Sequence, residues 1–210
     1  MKRLIDIPTW KRKEEYLFFK TFRNPLVGVT VEVDCTKACR KAFERQVPIS
    51  LYYFHAAMVA VNRIEEFRYR EENGQVYLYE QVDLFTPVLT AENNYRSVAI
   101  PYREKLDEFV AGATPVIERA KRGEGDAHGV EEHRPDLILI SVNPWFRFSG
   151  LQLSDPANPH ESLPIFTFGK LTPIEGKQVM PVSLRVNHGF VDGFHIGCFL
   201  EEFQKMLDRD

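Results

Sequence analysis

Near the C-terminus, Val186-Asn187-His188-Gly189-Phe190-Val191-Asp192-Gly193-Phe194-His195 joins a strand-like run to a histidine, and an Asp-Gly pair follows the histidine four residues on. Histidine is the commonest general base near neutral pH, so this spacing suits proton abstraction from a hydroxyl. Gly193 permits an abrupt turn there, with the Asp192 carboxylate shaping the loop rather than touching the His188 ring. A second polar group interrupts an apolar run, Ser141 in Leu137-Ile138-Leu139-Ile140-Ser141-Val142, where its hydroxyl suits either neighbouring backbone or a developing negative charge. On residue type alone Arg12 reads as a solvated helix face. His55, on an apolar helical face, reads as a core histidine, and His128, His133 and His160 fall in loops.

Periodicity and punctuation supply the elements that must hold these groups. Charges at Lys11 to Glu15 followed by Tyr16, Phe18, Phe19 and Phe22 predict a short helix from Trp10 to about Phe22, ended by Pro25. Val27 to Asp34 alternates as a strand, and Asp34 is placed to cap a helix reaching about Arg45. Pro48 opens a longer helix whose apolar residues wrap most of its cylinder, which implies burial on more than one side. Asn73-Gly74 between Phe67–Arg70 and Val76–Tyr79 predicts a type I′ hairpin. Extended runs at Leu84–Ala91 and Ser97–Ile100 precede a helix from Leu106 to Ala120, which Gly112 and Pro115 would kink and Gly123 would close. After a polar loop to Pro135 come the apolar strand at Leu137, a hairpin of Ile165–Leu171 with Met180–Val186, and a closing amphipathic helix from Phe194 to Leu207. The interleaving predicts an α/β fold, a two-layer sandwich with a mixed β-sheet covered by helices, in a single domain spanning 1–210.

Composition excludes several classes of function. The net charge is only -3 and its signs are mixed, with no basic run beyond Lys11-Arg12-Lys13 and Lys121-Arg122, so nucleic acid and anionic membranes are disfavoured as partners. No apolar run reaches membrane-spanning length and the N-terminus lacks the apolar core of a signal peptide, which makes the cytoplasm the default location. Cys35, Cys39 and Cys198 offer no disulfide framework and no second pair of zinc ligands, so a packing role is expected.

Three separated segments together resemble the chloramphenicol acetyltransferase family of coenzyme A-dependent acyltransferases, and the resemblance spans nearly the whole chain. Trp10-Lys11-Arg12-Lys13-Glu14 is similar to the family's Trp-x-Arg-(Arg/Lys)-Glu segment. Ile140-Ser141-Val142-Asn143-Pro144-Trp145 resembles its Ile-Ser-x-x-Pro-Trp strand, and Asn187 to Gly197 resembles its His-His-Ala-Val-Cys-Asp-Gly-Phe-His segment. Looser matches lie at Pro101-Tyr102, Pro164–Thr167 and Leu184–Val186.

The resemblance implies direct acetyl transfer from acetyl-CoA, a co-substrate rather than a resident cofactor, to a hydroxyl of chloramphenicol or a similar small molecule, a reaction of antibiotic resistance. It implies His188 as general base, Ser141 as oxyanion donor, Thr167 ordering water nearby, and Asp192 paired with Arg12. It also implies a homotrimer with sites at subunit interfaces, and Phe18 and Phe19 walling the acceptor pocket. Asn187 replaces the first of the family's paired histidines, which leaves the base in place. Phe19 stands where the family has a tyrosine, removing a hydroxyl that could discriminate acceptors. Arg147 and Asp155 lie near the expected pocket edge, and His195 is expected to serve structure rather than catalysis.

The alternatives are an acyltransferase of the same fold with a different acceptor, a dihydrolipoamide acyltransferase core, and a binding protein without turnover. No lipoyl module or Ala/Pro-rich linker occurs to favour the second, and a pure binder has little need of His188, Asp192, Arg12 and Ser141 together. A metal centre of His188, Asp192 and His195 is disfavoured, because Gly193 should break the single helix needed to gather them.

Overall fold

The computed structural model describes residues 1–125, 134–154 and 162–209. The chain opens with a short strand, Lys2–Leu4 (β1), and a 3-10 turn at Ile7–Thr9 that begins with a proline. Helix α1 spans Lys13–Lys20, three residues later than the charge pattern suggests, because Trp10 is buried ahead of it in extended backbone. Glu14 and Glu15 in its first turn and Lys20 in its last match the helix dipole. Strand β2 (Leu26–Asp34) leads into α2 (Thr36–Glu44). Its N-cap is Cys35 rather than Asp34, whose Oδ1 instead accepts hydrogen bonds from the Thr36 amide and hydroxyl. Helix α3 (Ile49–Arg63) is buried at every position from Leu51 to Val61, as its all-round apolar composition requires.

A 3-10 turn at Glu65–Arg68 takes the place of the first residues expected in the hairpin, and β3 (Tyr69–Glu72) and β4 (Gln75–Tyr79) flank Asn73 and Gly74 at φ 51 and 77. Strands β5 (Asp83–Leu89) and β6 (Tyr95–Ile100) follow, then α4 (Leu106–Lys121), a single helix with Pro115 inside it. The later elements are β7 (Leu137–Val142), β8 (Ile165–Phe168), a short β9 (Thr172–Ile174), β10 (Lys177–Asn187) and α5 (Gly193–Leu207). The sequence pattern missed β1 and β9, each three residues long and too short to show a period.

Among the described residues the large sheet runs β2-β10-β8-β7-β5-β6, with β9 also paired to β10, and a smaller sheet runs β1-β4-β3. Strands β5, β7 and β8 are mutually parallel and the remaining pairs antiparallel, so the sheet is mixed. Strand β10 lies one strand in from the β2 edge: β2 pairs along one side from Asp34 to Leu26, and β8 and β9 pair along part of the other. Alternation sends Val182, Leu184 and Val186 into the core under α3 and α5, where Phe166 meets Phe199 at 5.0 Å and Phe168 stacks on Phe203 at 5.7 Å. Burying each such side chain stabilises the fold by about 1.5–3 kcal/mol. Ser183, Arg185 and Asn187 point to the opposite face.

Gly169, where the chain leaves β8, donates its amide to the Pro181 carbonyl at 2.8 Å. A Cβ there would meet Pro181 Cγ at 2.4 Å and Phe148 Cε1 at 2.8 Å. Gly169→Ala is therefore expected to destabilise the protein by about 1–3 kcal/mol, as overpacking does. Differential scanning calorimetry checks this, and an unchanged melting temperature would contradict it.

Candidate active site

His188 lies immediately beyond the paired end of β10, where its amide donates to the Pro25 carbonyl at 2.9 Å. The turn after it is built by Asn187. Its Oδ1 accepts the Gly189 amide at 2.9 Å, and its carbonyl accepts those of Phe190 and Val191, both at 3.0 Å. Gly189 fits because a Cβ would come within 3.1 Å of that Oδ1 and 3.5 Å of Tyr16 Cα. Phe190 then anchors the loop among aromatic rings, stacked on Tyr16 at 5.6 Å and close to Trp10 and Tyr69. One face of the His188 imidazole is covered by the Phe19 ring, stacked at 4.0 Å and 13°. Nδ1 is buried without a hydrogen-bond partner among the described residues, which leaves Nε2 as the nitrogen open to a reactant.

Asp192 is the N-cap of α5. Its Oδ1 accepts the amides of Phe194 and His195 at 3.0 and 3.4 Å, and its Oδ2 accepts Arg12 Nη1 at 3.0 Å. Gly193 thus starts the helix instead of breaking it, and Asp192 shapes the loop as its spacing suggests. Arg12 is 6 % exposed, so it lies in the interior and not on a solvated helix face. Burial alone would raise the Asp192 carboxyl, but the hydrogen bond from Arg12 and the nearby His195 hold it below the ordinary carboxylate value.

His195 sits between two acids, with Nδ1 2.9 Å from Asp192 Oδ1 and Nε2 3.5 Å from Glu66 Oε1. Glu66, nearly buried, also accepts Lys11 Nζ at 2.9 Å. Burial pushes the Glu66 carboxyl up, and the Lys11 hydrogen bond, a backbone amide and His195 together outweigh it and pull it down. Sequence reasoning did not single out Glu66. No local pattern marks it, since its partners lie near the two chain ends.

Ser141 and Thr167 face each other across β7 and β8, their hydroxyl oxygens 3.2 Å apart. The register continues that row through Ser183 on β10 to Thr30 on β2, which lines four hydroxyl residues across the face away from α3 and α5. His188 follows Ser183 by five positions, about 16 Å at roughly 3.3 Å per residue, while Ser141 lies two strands away, about 10 Å. The fold therefore brings Arg12 to Asp192, Phe19 to His188 and Thr167 to Ser141, but holds the His188 and Ser141 groups apart within one chain.

Phe18 projects from α1 with 59 % of its surface exposed. Arg147 pairs with Glu32 at 2.7 Å, and Asp155, His128, His133 and His160 lie outside the described residues. His55 is a buried core histidine, its Nε2 3.1 Å from the Glu104 carbonyl, and burial lowers its pKa. Cys35 is fully buried, its thiol pushed well up by desolvation. Among the described residues no three His, Cys, Asp or Glu side chains are grouped to hold a metal, and no helix is long and apolar enough to cross a membrane.

The mixed sheet under two long helices recurs among solved structures. A solved structure described as a probable dihydrolipoamide acetyltransferase from Listeria monocytogenes shares it with TM-score 0.65 at 13 % identity, over 97 % of this chain and 94 % of that one. Much nearer is a solved chloramphenicol acetyltransferase, with TM-score 0.92 and 33 % identity over 99 % of this chain and all of the other. Among curated relatives, the chloramphenicol acetyltransferase of Campylobacter coli is 31 % identical over 98 % of each chain. The family model for chloramphenicol acetyltransferase matches residues 2–204, and the chain belongs to that family of acyltransferases.

The depressed Asp192 carboxyl carries a pH signature. A carboxyl whose folded pKa is lowered adds stability above its unfolded value near 3.8, and that stability is lost as pH falls through the folded value. Asp192→Asn is thus expected to melt below the parent at neutral pH, with the gap closing below about pH 3.8. Arg12→Ala should add little to it, because each change removes the same interaction. Thermal melts of the four proteins across pH check both points, and strict additivity would show that the pair does not interact.

Proposed function

We propose that the chain is a single acyltransferase domain that moves the acetyl group of acetyl-CoA directly onto a hydroxyl of chloramphenicol or a similar small acceptor, in the cytoplasm, with His188 as general base. The observation that carries the reading is the His188 environment. Its imidazole is clamped by Phe19, fixed through its backbone to Pro25, and open at Nε2. Nε2 takes the acceptor's hydroxyl proton as that oxygen bonds to the thioester carbonyl carbon, contributing about 10²–10⁴-fold in rate. The tetrahedral oxyanion then collapses, the carbon–sulfur bond breaks, and the coenzyme A thiolate recovers the proton from His188.

Ser141 serves the oxyanion. If Thr167, 1 % exposed, donates its hydroxyl hydrogen to Ser141 Oγ, the Ser141 hydrogen is left to point at the developing charge, and the Thr167 side chain also orders water beside it. Within one chain the row holding Ser141 lies too far from His188 for both to touch one reacting centre. Sharing between subunits resolves the distance: the base of one copy faces the hydroxyls of the next, with acetyl-CoA and acceptor entering from opposite sides. A closed ring of three such contacts would cover the exposed rings of Phe18, Phe22, Trp145 and Phe146. Phe18 and Phe19 form the acceptor-side wall, and Phe19 supplies an apolar ring without a hydroxyl.

His188→Ala should leave melting and coenzyme A binding intact while turnover falls by about two orders of magnitude or more. A thiol-release assay with acetyl-CoA and an acceptor panel including chloramphenicol measures it, and near-normal turnover would remove His188 as the base. The assembly is tested by light scattering at low micromolar concentration. A trimer mass is expected, and an active species of one chain mass would overturn the shared site.

A further inference from the structure

We infer that Glu66, acting through His195, is a positioning residue for the transfer reaction: it fixes the Asp192 end of the loop that presents His188. The inference rests on His188 as the base and adds to it a second support for the loop, independent of Arg12.

The geometry is a closed polar ring. Adjacent residues Lys11 and Arg12 each hold one acid, Glu66 at 2.9 Å and Asp192 at 3.0 Å, and the His195 ring spans the two acids. At Nδ1 the ring accepts the Asp192 amide at 3.3 Å, the return half of a capping box with the Asp192 side chain, so the ring hydrogen lies on Nε2. Nε2 faces Glu66. Gripped at both nitrogens, the imidazole carries the placement of the 3-10 turn at Glu65–Arg68 to the first turn of α5, and so to Asp192. From there only Gly189, Phe190 and Val191 separate the cap from His188.

A purely structural role explains Glu66 poorly. A buried carboxylate carries a desolvation cost even when a lysine pairs with it, and an apolar side chain at that position would avoid the cost. Glu66 is instead turned toward the one histidine that touches Asp192. Lys11 holds Glu66 from the other side, which keeps the carboxylate in place against the His195 ring.

Steady-state kinetics of the full-length protein test the assignment, with acetyl-CoA and chloramphenicol as substrates. Glu66→Ala and His195→Ala should each lower kcat by about ten- to a hundredfold, the effect of a small displacement of a reacting group, with little change in either KM. Glu66→Gln, which keeps an oxygen facing Nε2, should restore most of kcat. In an Asp192→Asn background, Glu66→Ala should produce no further loss. Unchanged kcat in Glu66→Ala, a loss confined to KM, or a full additional loss on top of Asp192→Asn would each overturn the inference. Should Glu66→Ala not fold, His195→Ala decides by the same criteria. His188→Ala separates the two levels: if it is inactive while Glu66→Ala is normal, only the positioning role fails, and if it is active, the base assignment fails as well.

Discussion

The ion pair between Arg12 and Asp192 joins residues 180 positions apart, and the arrangement around His188 depends on it. Asp192 is at once the last residue of the loop and the cap of α5, so one carboxylate satisfies helix amides with one oxygen and a buried guanidinium with the other. Of the supports around the loop only the turn of Asn187 is local; the Phe190 anchor and the ion pair both draw on the beginning of the chain, through Trp10, Tyr16 and Arg12. With Arg12 deeply buried and two of its nitrogens without a partner among the described residues, Asp192 is its principal compensation, and losing it leaves a charge in a poorly hydrated interior.

The large sheet divides its two faces between stability and chemistry. On one, Val182, Leu184, Val186, Phe166 and Phe168 pack under α3 and α5. On the other, the hydroxyls of Ser141, Thr167, Ser183 and Thr30 lie in register. Because strand side chains alternate, one residue of slippage between β8 and β10 would break the hydroxyl row and turn phenylalanines out of the core together. The packing of the aromatic core therefore also fixes the spacing of the polar groups, and neither face can drift without the other.

Local signals in the sequence were enough for the hairpin at Asn73-Gly74, the all-round apolar α3, the central strand β7 and the closing helix, because each is written in adjacent residues. The motif around His188 was legible as well, whereas Arg12, in a run of charges, was marked by the family resemblance alone. Glu66 was not legible, since a glutamate beside another glutamate at the end of a helix looks like solvated surface until the fold sets it against His195. Nor could periodicity place the start of α1, where burial of Trp10 overrides a continuous run of helix-compatible charges. The separation of His188 from Ser141 was legible only in register, a property of paired strands and not of any one of them.

Strand β10 pairs with β2 from Val179 to Asn187, but β9 and β8 reach only to Arg185 on its other side, so Val186 and Asn187 are held by β2 alone and His188 hangs from that end with an amide tied to Pro25. Backbone groups in the doubly paired middle of β10 exchange with solvent only when a large cooperative unit opens, whereas the edge strands β2 and β6 and the small β1-β4-β3 sheet open at lower free energy. The histidine is thus mounted where the protected middle of the sheet gives way to its β2 edge. Opening of that edge by mild denaturant or moderate heat would displace the histidine while the aromatic core under α3 and α5 is still packed.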